Sequence, residues 1–114
     1  MSMKKYLVLY KAPVGANKQM EGATAEQQVE GMKAWMDWAQ KCGGRLVDMG
    51  QPLANGLSLS STGSSSAHSQ IAGFSILQVA DMHEAESLMQ GHPHLAWNAE
   101  CRIELHETQP VPGM

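Results

Sequence analysis

The sequence has few of the residues that build disulfide frameworks, nucleic-acid surfaces or membrane spans. Two cysteines in 114 residues allow at most one disulfide, and their spacing suggests no framework. A net charge of −3 excludes the strongly basic surface typical of nucleic-acid-binding domains. The apolar run at residues 6–10 ends at Lys11 and is too short for a secretory core or a membrane span. We therefore expect a soluble cytoplasmic protein that binds neither nucleic acid nor a membrane.

Several common catalytic motifs are also missing. The sequence contains no phosphate-binding glycine loop, no Gly-x-Ser-x-Gly elbow and no Cys-x-x-Cys pair. Cys42 falls at the end of a predicted helix, where the helix dipole disfavours a thiolate, and Cys101 alternates with apolar residues. Neither cysteine is typical of a nucleophile, and nothing in the sequence points to a bound cofactor.

The length and composition are those of one small folded domain. A chain of 114 residues buries one core and is too short for two domains, so we treat residues 1–114 as a single domain. Hydrophobic residues make up 43% and charged residues only 17%. So few charges in a small domain suggest that a partner covers part of the apolar surface.

The first half of the chain predicts a strand followed by a helix. Residues 6–10 are aromatic, β-branched or aliphatic, and are apolar on both alternating faces. Thr24 and Gln27 have the spacing of a capping box, and Gly43 and Gly44 supply a stop. Between them an apolar stripe recurs at helical spacing, comprising Ala25, Val29, Met32, Trp35, Met36 and Ala39.

The second half predicts further strands and a second helix. Strands are expected at 45–49, 57–60, 74–79 and 101–105, and a helix begins after Asp81 and ends at Gly91. A serine-rich segment at about 60–70 predicts a flexible loop, and Pro110, Pro112 and Gly113 predict a loose tail at about 109–114.

This order of elements predicts an α+β fold of the ferredoxin-like kind, an antiparallel sheet with two helices on one face. Two helices cover only one side of such a five-stranded layer. Because the strands at 6–10 and 74–79 are apolar on both sides, the other side needs a cover. We expect a homodimer in which two copies pack sheet to sheet.

Six stretches, taken in order, resemble the YCII-related domain family. They are WMDW (35–38), RLVDMGQPL (45–53), GFSILQV (73–79), DMHEA (81–85), GHPHL (91–95) and CRIEL (101–105). The resemblance implies a ferredoxin-like fold that dimerises as dimeric α/β barrels do. For some members it also implies acid–base chemistry through a His and an Asp, and one relative is a dehydrochlorinase acting on a chlorinated aromatic. Where the family's helix histidine would lie, this chain has Met32 and Lys33.

The candidate catalytic residues are His92, His94 and Asp48. Two imidazoles in a loop between a helix and a strand can take and give protons near neutral pH. The alternative is structural: Pro93 ends the helix and the histidines cap its last carbonyls. Asp48 precedes a turn and acts either as a helping base or as a backbone acceptor. No third ligand lies at a recognisable spacing, so we predict no metal site.

The candidate ligand-binding residues are Tyr10, Trp35 and Trp38, which are suited to lining a pocket for a flat apolar molecule. Trp38 lies at the edge of the helical stripe, where it could face a cleft. The interpretation that we favour for aromatic residues at helical spacing is that they belong to the core.

Two functions follow from these residues. One is a cofactor-independent acid–base enzyme acting on a small molecule, for which the resemblance suggests an aromatic one. The other is a non-catalytic dimer module that binds a small molecule or serves another protein.

Overall fold

The computed structural model describes residues 3–13, 24–97 and 99–113. The elements in chain order are β1 (Lys4–Lys11), α1 (Ala25–Cys42), β2 (Leu46–Asp48), β3 (Leu57–Ser60), β4 (Gly63–Ser66), β5 (Ile71–Val79), α2 (Met82–Leu88), α3 (Pro93–Trp97) and β6 (Arg102–Glu107).

The main sheet has four strands in the order β2-β5-β1-β6, and every neighbouring pair is antiparallel. The strands β3 and β4 pair only with each other and form a separate two-stranded sheet. The α+β class predicted from the sequence is confirmed. The expected fifth strand of the layer is wrong, because residues 57–60 belong to the small sheet.

The two faces of the main sheet differ in burial. Tyr6, Val8 and Tyr10 of β1 point to one face, are buried, and belong to the core cluster. Four helix residues belong to the same cluster, namely Trp38 and Cys42 of α1 and Ala85 and Leu88 of α2. Helices α1 and α2 therefore cover this face. We call it the helical face.

The opposite face, which we call the open face, is apolar along its middle. Leu7 pairs with Ile76 and Leu9 pairs with Phe74, and all four side chains are only half-buried. None of the four belongs to the core cluster. The strand predicted at 74–79 therefore has apolar side chains on both faces, as expected. Those on the helical face, Leu77 and Val79, are buried, and those on the open face, Phe74 and Ile76, are half-buried.

Helix α1 begins as the sequence predicts but packs only through its C-terminal half. The Thr24 hydroxyl accepts the Gln27 N–H at 3.0 Å, and the Gln27 side chain accepts the Thr24 N–H at 2.9 Å. This capping box satisfies amides that have no partner within the helix. Trp38 and Cys42 are buried, whereas the stripe residue Val29 is 67% exposed. Met32 and Met36 are also exposed, so the apolar stripe is only partly buried.

The serine-rich segment contains regular structure that the sequence did not predict. Residues 63–66, expected to be part of a loop, form β4 and pair with β3 through Leu57↔Ser66 and Leu59↔Ser64. All eight residues of this hairpin are exposed, so β3 has no buried face. The alternation of leucine and serine correctly predicted a strand at 57–60, but it did not predict that both faces of this strand are exposed.

The region after β5 contains two short helices. The Asp81 side chain accepts the Glu84 N–H at 2.9 Å and begins α2, as predicted. Pro93 was expected to end a helix, but it is the first residue of α3. Proline is favoured there because the first helical amide lacks an acceptor within the helix. In the described ranges, no helix is long and apolar enough to cross a membrane.

Candidate functional site

His92 lies in the connection between α2 and α3, directly before the first residue of α3. Gly91, at φ +71°, turns the chain after α2, and the His92 N–H donates to the Met89 carbonyl at 3.1 Å. The His92 ring then caps α3, since its Nδ1 accepts the backbone N–H of His94 at 3.0 Å. A ring nitrogen in this role replaces the hydroxyl or carboxylate oxygen usual at a helix N-terminus. The cap fixes the orientation of the imidazole.

The partners of the two histidine rings define their proton positions. A backbone N–H only donates, so Nδ1 of His92 carries no proton, and in the neutral ring the proton is on Nε2. His94 Nε2 lies 2.8 Å from the Lys11 carbonyl oxygen, which only accepts, so this nitrogen donates. His94 therefore ties α3 to the end of β1. Neither ring caps the carbonyls at the end of α2.

Three aromatic side chains surround the His92 ring. The ring centroids of Trp35 and Trp38 each lie 4.5 Å from that of His92, at interplanar angles of 85° and 63°. The Tyr10 ring lies 5.0 Å away at 34°, and 5.4 Å from the ring of His94. We call these five residues, Tyr10, Trp35, Trp38, His92 and His94, the His92 cluster.

Two of the aromatic side chains around His92, those of Tyr10 and Trp38, are held by buried hydrogen bonds. Ser75 donates to the Met49 carbonyl at 2.6 Å, so its oxygen accepts from the Tyr10 hydroxyl at 2.8 Å. Burial raises the pKa of Tyr10, which stays a neutral donor. Trp38 Nε1 donates to the Leu88 carbonyl at 2.8 Å. These bonds connect β1, β5, α1 and α2 around His92.

The electrostatic setting keeps His92 uncharged. The residue is 0% exposed, and burial, helped by the nearby His94, lowers the pKa of its imidazole to about 3. Its Nε2 has no hydrogen-bond partner among the described residues. A buried donor without an acceptor costs about 1–3 kcal/mol and is rare in folded proteins.

Asp48 has a structural role in a different part of the sheet. Its Oδ1 accepts the Gly50 N–H at 2.8 Å, which is the backbone-acceptor role given above as the alternative to a helping base. Gly50 has φ +78°, and a Cβ there would come within 1.7 Å of the Phe74 carbonyl oxygen, so only glycine fits. Across the described ranges, no hydrogen bond or ion pair joins Asp48 to either histidine.

The described residues around the His92 cluster provide neither a metal-binding group nor an activated thiol. No group of three or more His, Cys, Asp or Glu residues in the described part of the chain is placed to hold a metal ion. Cys42 and Cys101 are buried and are not joined in a disulfide, and burial raises the pKa of the Cys42 thiol. A cleft of about 240 Å³ lies between α2, α3 and β6, but neither histidine lines it.

The structure brings together residues that the sequence suggested for separate reasons. His92 and His94 were candidates for proton transfer, and Tyr10, Trp35 and Trp38 for a pocket; all five meet in one cluster. Trp38 is buried and belongs to the core cluster, which is the core interpretation given above and not the cleft. Ser75 was missed. Its only signal in the sequence is a hydroxyl inside an apolar strand.

Comparison with known proteins assigns no family to this arrangement. No protein-family model matches the chain, and no curated protein matches it.

Proposed function

We propose that the protein binds a small flat molecule against His92. The observation that carries this proposal is the buried Nε2 of His92, which has no partner among the described residues. Buried polar groups without a partner are rare in folded proteins, and a role in binding or catalysis is one explanation for such a group. The three aromatic walls suit a flat apolar ligand, and one oriented polar group among such walls is typical of small-molecule sites.

The domain that carries the site is, in our proposal, ferredoxin-like and a divergent relative of the YCII-related domains. The strand order β2-β5-β1-β6, with α1 and α2 on one face, supports this fold once the β3–β4 hairpin is treated as an insertion. The stretches quoted above for the resemblance lie in or directly beside α1, β2, β5, α2, α3 and β6.

We also propose that the protein is a homodimer that pairs through the open face. Leu7, Leu9, Phe74 and Ile76 form the apolar middle of that face, and Val47 on β2 is 48% exposed. Large apolar patches are unusual on soluble monomers, and a second identical sheet is complementary to this one. The His92 cluster lies on the helical face, so pairing leaves it in place.

Acid–base catalysis by His92 and His94, with Asp48 as a helper, is the second proposal. It is supported by a histidine with a strongly shifted pKa among aromatic rings, a combination that is frequent in active sites. Binding is favoured over catalysis because a base with a pKa of about 3 is weak, and His94 Nε2 is engaged by the Lys11 carbonyl.

The experiment is a screen of flat aromatic fragments against the ¹⁵N-labelled protein. The proposal predicts saturable amide shifts that centre on Tyr10, Trp35 and His92. Shifts confined to the β3–β4 hairpin or to the α2–α3–β6 cleft would contradict it, as would no shifts at all. Bound fragments with acidic C–H groups are then kept in D₂O. Catalysed deuterium uptake that disappears in His94→Ala would favour the enzyme, and no uptake would favour binding alone.

A further inference from the structure

The polarity of the ligand follows from the tautomer of His92. Nδ1 is used by the His94 N–H, so the ring offers the site an N–H donor at Nε2 and no acceptor. The ammonium of Lys11, whose carbonyl meets His94, is paired with the Glu104 carboxylate at 3.2 Å. Nothing in the cluster therefore compensates a buried charge, and burying an unpaired ion is costly. An uncharged hydrogen-bond acceptor is the group that completes this site.

The route by which a ligand reaches His92 can be inferred from how the side chains of Tyr10, Trp35 and Trp38 are held in place. Tyr10 and Trp38 are buried and anchored by hydrogen bonds to Ser75 and to the Leu88 carbonyl. Trp35 is half-buried and contacts Tyr10 and His92 edge to face, at centroid distances of 4.8 and 4.5 Å. Within the described residues its indole makes no hydrogen bond to protein that would hold it there.

Two α1 residues beside Trp35 are exposed. Met32, one helical turn before it, and its neighbour Met36 both lie on the surface. Among the described residues, rotating the Trp35 side chain breaks no hydrogen bond, whereas moving Tyr10 or Trp38 breaks one.

We infer that Trp35 is the gate of the site, and that the ligand is an uncharged flat molecule whose oxygen accepts a hydrogen bond from His92 Nε2. This inference rests on the proposed binding function and specifies its ligand class and entry route. Aromatic ketones, aldehydes and amides have the required chemistry. Aromatic carboxylates and simple hydrocarbons lack it, the first because of charge and the second because they have no acceptor.

The test compares two probes of the same shape on the wild-type protein. Acetophenone carries a carbonyl acceptor and ethylbenzene does not. Because only acetophenone pairs the buried Nε2 donor, we expect its affinity relative to ethylbenzene to be roughly tenfold higher in the wild type than in His92→Phe. The wild-type His92 Nε2 proton resonance should move to low field with acetophenone alone. His92→Phe keeps an aromatic ring but lacks the donor, so it leaves the acetophenone carbonyl buried without a partner.

Entry through Trp35 is tested by exchange rates. Trp35→Ala should speed acetophenone association by an order of magnitude or more, while Met36→Ala, an exposed position on the same helix, should leave the rate unchanged. Equal rates in the two variants would overturn the gate.

The outcomes separate this inference from the function on which it rests. An affinity ratio of the two probes that is the same in wild type and His92→Phe, with an unmoved Nε2 proton in the wild type, would overturn the acceptor while leaving the binding site. A high-field Nε2 proton in the free protein would also overturn it, because an indole face would already be the acceptor. Binding of neither probe, in wild type or in Trp35→Ala, would contradict the site itself. The Nε2 proton measurement on the wild type needs no variant to fold.

Discussion

At the scale of single residues, His92 has a different task for each ring nitrogen. Nδ1 caps α3 and Nε2 lies among aromatic rings, so the folded state holds the imidazole neutral. An exposed histidine in the unfolded chain has a pKa near 6.5. Since the folded pKa is lower, at about 3, the unfolded state takes up a proton first as the pH falls. The stability due to a neutral His92 is therefore present above pH ~6.5 and decreases progressively below it.

The first prediction concerns this pH dependence. Between pH 7 and pH 5 the wild type should lose about 2 kcal/mol of unfolding free energy through His92. The variant His92→Phe lacks the proton-binding group and should lose correspondingly less over the same range. Urea unfolding at the two pH values measures both losses. Parallel pH profiles would show that His92 is not buried in its neutral form.

The residues of the site could be predicted singly but not as a group. Tyr10, Trp35 and His92 each have a side chain that suggested a role from its type and local pattern. Their meeting depends on the register of β1 and on which turn of α1 reaches the sheet. Neither is encoded within a short stretch of sequence. The proton position on His92 also needed the structure, because it depends on a hydrogen bond from His94.

At the scale of secondary-structure elements, features set by neighbouring residues were predictable and those set by distant ones were not. The Thr24 and Asp81 caps depend on residues three positions away, and both are confirmed. The exposure of Val29 depends on how far α1 extends beyond the body it packs on, which its periodicity does not encode. Pro93 is compatible with either end of a helix, and the helix that it begins was missed.

The β3–β4 hairpin gives the second prediction. Its strand residues are exposed, and its base is closed by the Ala67 N–H donating to the Gly56 carbonyl at 3.0 Å. Replacing residues 57–66 with Asn-Gly, a favoured two-residue turn, should change the unfolding free energy by less than about 1 kcal/mol. Trp38→Phe, which removes the bond to the Leu88 carbonyl, is the destabilising reference. Loss of folding on removing the hairpin would show that it is packed in solution.

At the scale of the whole molecule, the two faces of the main sheet have different roles. The helical face carries the core and the His92 cluster, and the open face carries an apolar strip that none of the described core residues covers. The order of the four main-sheet strands and of helices α1 and α2 was predictable from the sequence, because each of these elements has its own pattern. The number of strands in the layer was not, because the pattern of residues 57–60 fits a strand in either sheet. In our proposal a second copy completes the open face and leaves the ligand site accessible from the other side.

Sedimentation velocity at micromolar concentration tests this division of the sheet most directly. The account predicts that wild type sediments at about twice the 12.4 kDa chain mass. Ile76→Lys places a charge in the middle of the open face and should give monomers, because a buried unpaired charge is costly. Gln40→Lys adds the same charge on an exposed position of α1 and should remain dimeric. A wild type that sediments as a single chain, or an Ile76→Lys protein as dimeric as Gln40→Lys, would contradict the account.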